Sequence, residues 1–81
     1  MNIIKVYGSG CSNCKKLEQM CYNALQELQI DASVEKVTDL QEIIKTGILS
    51  TPGLEINGKM ISSGKLPTKT TLVHWIQDNI N

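Results

Sequence analysis

Tyr7-Gly8-Ser9-Gly10-Cys11-Ser12-Asn13-Cys14-Lys15-Lys16 joins a short apolar run to an amphipathic one through a glycine-rich turn, with a Cys-x-x-Cys pair at the joint. The run before it, Ile3-Ile4-Lys5-Val6-Tyr7, is rich in β-branched and aromatic side chains and reads as a buried strand. After it, Leu17, Cys21, Ala24, Leu25 and Leu28 recur at three- and four-residue spacing with no proline or glycine among them, which predicts a helix. The pair is therefore expected at a helix N-terminus, with Cys11 as the N-cap facing outward and Cys14 as the third helical residue, turned toward the body. Unsatisfied N–H groups and the positive end of the helix dipole favour an anion there. A thiolate is such an anion, so the first cysteine is expected to ionise more readily than a free one. The dithiol can then attack another disulfide without a separate base. Lys15 and Lys16 add positive charge nearby, although lysines on an exposed first turn are commonly just solvated.

The 81 residues leave room for a single domain, 1–81, with a modest core. Eight Lys plus Arg balance eight Asp plus Glu, which removes the basis for a nucleic-acid surface or for attraction to an acidic membrane. Aromatic residues, at 4%, are too few for base stacking. The chain opens on a strand pattern, with no basic segment leading into an apolar one and no long apolar span. Neither an export signal nor a transmembrane helix is expected, and the cytoplasm is the default location. Three cysteines in such a chain do not make a disulfide framework, and the odd count implies one working pair and one bystander.

Further along, Asp31 to Val37 sets Ala32 and Val34 on one face among charged residues, as in a partly exposed edge strand. Thr38-Asp39-Leu40-Gln41 has the form of a capping box opening a short helix, with Leu40, Ile43 and Ile44 on one side and Gly47 at a left-handed C-cap. Thr51-Pro52-Gly53 leads into Leu54-Glu55-Ile56, and Asn57-Gly58 separates that run from Lys59-Met60-Ile61-Ser62, a strong hairpin signal. Ser63 to Pro67 reads as a loop and Thr68 as the N-cap of a last helix with Leu72, Val73, Ile76 and Ile80 inward. The order β-α-β-α-β-β-α implies two parallel β-α-β crossings followed by a hairpin. The predicted architecture is α/β, a four-stranded mixed sheet with helices on both faces.

With these residues in place, the chain resembles the thioredoxin fold in its minimal, glutaredoxin-sized form. The Gly-x-Gly-Cys-x-x-Cys-Lys start, the Thr-Pro-Gly before a strand, the Asn-Gly hairpin and the Ser-Gly-Lys-Leu-Pro-Thr lead into the last helix are similar to the small thioredoxin-like redox-active disulfide proteins of bacteria and archaea. The resemblance covers essentially the whole chain. It implies a thiol-disulfide oxidoreductase in which Cys11 attacks and Cys14 resolves. It also implies a cis Thr51-Pro52 bond, with Pro52 against the active site and the Thr51 backbone offered to an extended substrate. Disulfide-containing protein substrates, a dithiol or flavoprotein reductase as electron donor, a monomeric state and no cofactor go with it. The dipeptide between the cysteines is Ser12-Asn13, where standard thioredoxins have Gly-Pro and glutaredoxins commonly Pro-Tyr. Gly10 stands where thioredoxins carry a Trp, and Ser63-Gly64-Lys65 where glutaredoxins hold glutathione with a Gly-Gly pair followed by an acidic residue.

The alternative is a soft-metal carrier, because a Cys-x-x-Cys between strand and helix also opens ferredoxin-like domains whose two thiolates take an ion such as copper(I). That fold ends in a strand, whereas Thr68 to Ile80 reads as a helix, and it has no use for Thr51-Pro52. Cys21 shares the apolar face with Leu17 and Leu28 and reads as a small buried side chain. His74 reads as a solvated surface residue, Trp75 as a cover for the core edge, and Pro52 could also serve simply to open a strand.

Overall fold

The computed structural model describes residues 2–10 and 12–80. Its elements are β1 (Ile3–Tyr7), α1 (Ser12–Leu28), β2 (Ser33–Val37), α2 (Leu40–Lys45), β3 (Gly53–Ile56), β4 (Lys59–Ser63) and α3 (Lys69–Asn79). The element order is the expected one, with the hairpin β3–β4 followed by the helix α3, where a ferredoxin-like metal carrier has a further strand. The strands form one mixed sheet in the order β2-β1-β3-β4. No helix among the described residues is long and apolar enough to cross a membrane.

One expectation about the sheet is corrected. β1 and β2 are parallel, but β3 runs antiparallel to β1, with Tyr7 opposite Gly53 and Ile4 opposite Ile56. Only the first crossing is therefore parallel. The reason lies in length: α2 has six residues, about 9 Å of helix, while a five-residue strand runs about 17 Å. A helix this short does not by itself return the chain along the sheet, and the segment from 38 to 52 stays at one end of it, so β3 starts at the end where β2 stops.

Alternation along β1 divides its side chains between two layers. Ile4 and Val6 are fully buried with Leu54 and Ile56 beneath Leu17, Cys21, Ala24 and Leu25 of α1 and Leu72 and Ile76 of α3. Each fully buried Leu or Ile contributes roughly 1.5–3 kcal/mol relative to exposure. Tyr7 and Ile43 are buried outside this cluster. At Gly53, opposite Tyr7, an added Cβ would stand 2.8 Å from Ile48 Cδ1 and 3.4 Å from Tyr7 Cβ, so α2 and the segment after it cover this second face. β2 is an edge strand with Glu35 and Lys36 exposed, a polarity that discourages pairing with another chain.

The helix ends show which local signals prevailed. α1 stops at Gln29, whose φ of +55° lies in the left-handed region. Ile30 N–H donates to Leu25 O (3.0 Å) and Gln29 N–H to Gln26 O (3.2 Å), the paired bonds of a Schellman motif, with Ile30 packed on the core. α2 is capped by Asp39, which accepts from Gln41 N–H, and not by Thr38; Gly47 has the expected positive φ. Leu40 and Ile44 are 65% and 64% exposed, so only Ile43 of the expected apolar side turns inward. Thr68 caps α3 as its sequence suggests, accepting from Thr71 N–H.

Asn57 and Gly58 have φ of +51° and +84°, the type I′ geometry of a two-residue hairpin. The Asn57 side chain does more than turn the chain. Its Oδ1 accepts from Ile3 N–H (2.9 Å), and its Nδ2 donates to Asn79 O (2.7 Å) and Asn2 Oδ1 (3.1 Å), fastening the hairpin to β1 and to the end of α3.

Two substitutions test these points by urea unfolding. Gln29→Gly should stabilise the protein by about 0.5–1 kcal/mol, because glycine adopts the left-handed conformation without a Cβ penalty. Asn57→Ala should cost about 2–3 kcal/mol by orphaning Ile3 N–H and straining the turn. Asn57→Gly should recover only the conformational part.

Candidate active site

Three stretches meet at the end of the sheet where β1 finishes. The first is the turn out of β1. Gly8 is buried and its N–H donates to Val37 O (2.9 Å), extending the β1–β2 ladder one rung; Gly10, with φ +96°, then bends the chain into α1. The second runs through Ser50, Thr51 and Pro52 into β3. The third is the loop after β4, where Gly64 N–H donates to Pro52 O (2.8 Å).

Cys14 is the third residue of α1 and is 1% exposed, turned toward the body as its position predicts. It is disulfide-bonded, while Cys21 is a free, buried thiol. Cys11, expected as the N-cap, lies outside the described residues. A Cβ added at Gly8 would overlap Cys14 Sγ and lie 3.8 Å from Thr51 Cβ, so Gly8 sits between Cys14 and Thr51. The Thr51-Pro52 bond is cis, with Thr51 exposed and Pro52 buried. The structure thus brings together Cys14, Thr51 and Pro52, three of the four residues singled out from the sequence.

The first turn of α1 has no acidic residue, and Lys15 and Lys16 are exposed there. Their charge and the helix N-terminus both favour a thiolate at the joint. Beside Thr51, a groove is lined by Ser9, Leu40, Ile43, Ile44 and Leu49. Leu49 is fully exposed. His74 is exposed and Trp75 packs, half-buried, against the core, as read from the sequence.

Two contributors were not singled out. Gly64, placed only in a loop, has φ +76°, and a Cβ there would overlap Ser50 Oγ, so it allows the third stretch to close on the second. Gly8 was quoted as part of a turn, and nothing in the sequence separates its part from that of Gly10.

Burial disfavours the Cys21 thiolate and the Glu18 charge adds to this, pushing the thiol from 9.0 up to about 12. Tyr7 is pushed from 10.0 up to about 12, first by burial, then by the bond its hydroxyl donates to Glu55 (3.1 Å) and by the charges of Glu55, Glu42 and Glu35. Both groups hold their protons more tightly folded than unfolded. The stability they confer is complete below the unfolded values and is lost as pH rises toward about 12.

The family model for the thioredoxin domain matches residues 2–77. The chain is 38% identical over 66 residues to a thioredoxin of Methanothermobacter thermautotrophicus, covering 82% of this chain and 86% of that one. It is 35% identical over 68 residues to a thioredoxin of Methanocaldococcus jannaschii, covering 84% of this chain and 78% of that one.

The buried thiol yields a prediction for the reduced protein at pH 8. Iodoacetamide should leave Cys21 unmodified in the folded state, and mass spectrometry should find it labelled once urea is added. Unfolding free energy should fall as pH rises from 9 to 12, and less steeply in Cys21→Val.

Proposed function

The chain belongs to the thioredoxin family, and from that premise we propose that it is a thiol-disulfide oxidoreductase in which Cys11 and Cys14 form the redox pair acting on protein disulfides. The carrying observation is that Cys14, buried in the otherwise exposed first turn of α1, is disulfide-bonded while Cys21, the other cysteine described, is a free thiol. The sequence holds three cysteines, which supports Cys11 as the partner.

The burial of Cys14 supports a division of labour. An incoming disulfide cannot reach a sulfur that is 1% exposed, so attack falls to Cys11 and resolution to Cys14. In the reducing direction the Cys11 thiolate attacks one sulfur of the substrate disulfide, forming a mixed disulfide and releasing the first substrate thiolate. Cys14, as thiolate, then attacks Cys11 Sγ and expels the second. Two electrons pass to the substrate, its two thiolates take up protons, and the Cys11–Cys14 disulfide remains. A dithiol or flavoprotein reductase returns it to the dithiol, and no cofactor is needed, because the sulfurs carry the electrons.

Thr51 and Pro52 form the substrate-binding edge, where the exposed Thr51 backbone can pair with an extended segment. The apolar rim of Leu49, Leu40 and Ile44 suits a protein substrate better than a small thiol. The protein works as a monomeric single domain, residues 1–81, in the cytoplasm, without nucleic-acid or membrane partners.

Cys14→Ser tests this reading. With native insulin, its disulfides intact, as substrate, turnover should fall at least about 100-fold, and a mixed disulfide through Cys11 should accumulate, identified by mass spectrometry. A soft-metal carrier would behave otherwise, since it needs both thiolates as ligands. Absence of any mixed disulfide, together with tight binding of one copper(I) per unmodified chain, would replace the oxidoreductase reading with the metal one.

A further inference from the structure

Gly8 and Gly10 flank Ser9 in the same turn, yet they meet different demands. Gly10 has φ +96°, and a Cβ there would meet nothing within 4 Å, so that position needs glycine for its backbone conformation. Gly8 is the reverse. Its φ lies outside the left-handed region and its N–H continues the sheet ladder, so its backbone conformation is open to any L-residue. What excludes a side chain is the Cys14 sulfur, which occupies the space a methyl would take, with Cys14 Cβ 3.1 Å from the same point.

We infer that Gly8 is a positioning residue for the redox reaction, one that holds the disulfide form of Cys14 favourable relative to the dithiol by leaving its sulfur room against the end of β1. The inference rests on the proposed oxidoreductase reading and adds to it a determinant of redox poise. In the disulfide form Cys14 Sγ is tethered by its S–S bond and cannot leave that space. Reduction adds two electrons and two protons, breaks the S–S bond and yields two thiols. Cys14 is then able to change rotamer, and the space beside β1 need not hold sulfur. A methyl at position 8 therefore penalises the disulfide more than the dithiol. Gly8→Ala should make the pair a stronger oxidant, and a larger side chain should do so further.

The experiment equilibrates the unmodified protein and Gly8→Ala with glutathione redox buffers and reads the ratio of disulfide to dithiol by acid quenching and mass spectrometry. The expected result is a shift of at least tenfold toward the dithiol in Gly8→Ala, equivalent to about 30 mV for this two-electron couple. By the thermodynamic cycle, oxidised Gly8→Ala should lose more stability to urea than reduced Gly8→Ala, each relative to the unmodified protein in the same state. A merely structural glycine would lower both alike. Combining Gly8→Ala with Cys14→Ala removes the sulfur and leaves only the 3.1 Å approach of Cβ, so Gly8→Ala should cost clearly less in that background. Equal glutathione equilibria in the two proteins, or an undiminished cost of Gly8→Ala without the sulfur, overturn the assignment of Gly8 and leave the oxidoreductase reading standing. A disulfide that no glutathione buffer or dithiothreitol reduces in the unmodified protein overturns both.

Discussion

The pairing of β1 on both of its edges is the constraint from which the rest follows. β2 lies along one side and β3 along the other, and the Ile4 and Val6 side chains between them are wholly removed from water. Moving such a strand would break two ladders and open the main apolar layer, so its end is held in place. Gly8 takes the last rung through Val37 O, and α1 departs only a few residues later. The cysteine at the first turn of α1 thus meets a rigid wall of backbone. That rigidity makes the lack of a side chain at Gly8 consequential: a flexible neighbour could yield to an added methyl, whereas a strand end hydrogen-bonded into the sheet yields little.

One helix also sets two sulfurs in different surroundings. Cys14 and Cys21 are seven residues apart on the same face of α1, about 10 Å along its axis. At the N-terminus the helix dipole and exposed lysines favour negative charge. Two turns further in, that influence has faded, the side chain is fully buried and Glu18 is near, so Cys21 keeps its proton up to about 12. The bystander is protected from exchange by its environment, which lets a third cysteine sit near the proposed redox pair without competing for it.

Much of the fold was legible because it rests on local signals. The Asn57-Gly58 turn, the Thr68 cap and the three- and four-residue periodicity of α1 each act within a few residues of where they are written. What escaped depends on partners distant in sequence. Asn57 was readable as a turn residue, but its side-chain bonds to Ile3 and Asn79 arise only once the hairpin docks against β1 and α3. Gly8 is a glycine because of a sulfur six residues on, and Gly64 because of its positive φ together with the close approach of a serine fourteen residues back. Gln29 has no glycine-like signal at all; it takes a left-handed conformation because Ile30 gains burial against the core by closing the helix there. At α2, Asp39 outcompeted Thr38 for the cap, and a short helix over one sheet face could bury only one of its three apolar side chains.

The direction of β3 is the most instructive correction, since it bears on the site itself. A parallel β3 would begin at the far end of β1, placing Pro52 about a strand length, roughly 17 Å, from the turn that carries the cysteines. Two readings of the sequence were therefore incompatible: parallel crossings on both sides of β2, and a Thr51-Pro52 dipeptide beside the cysteine pair. The observed pairing decides between them: α2 is by itself too short to span the sheet, and the chain enters β3 at the end where Gly8 and Cys14 lie. The antiparallel strand is thus what assembles the site, bringing Thr51 within van der Waals reach of the volume above Gly8. A motif whose halves lie some forty residues apart constrains topology as strongly as any periodicity, since only strand directions that unite the halves are consistent with it.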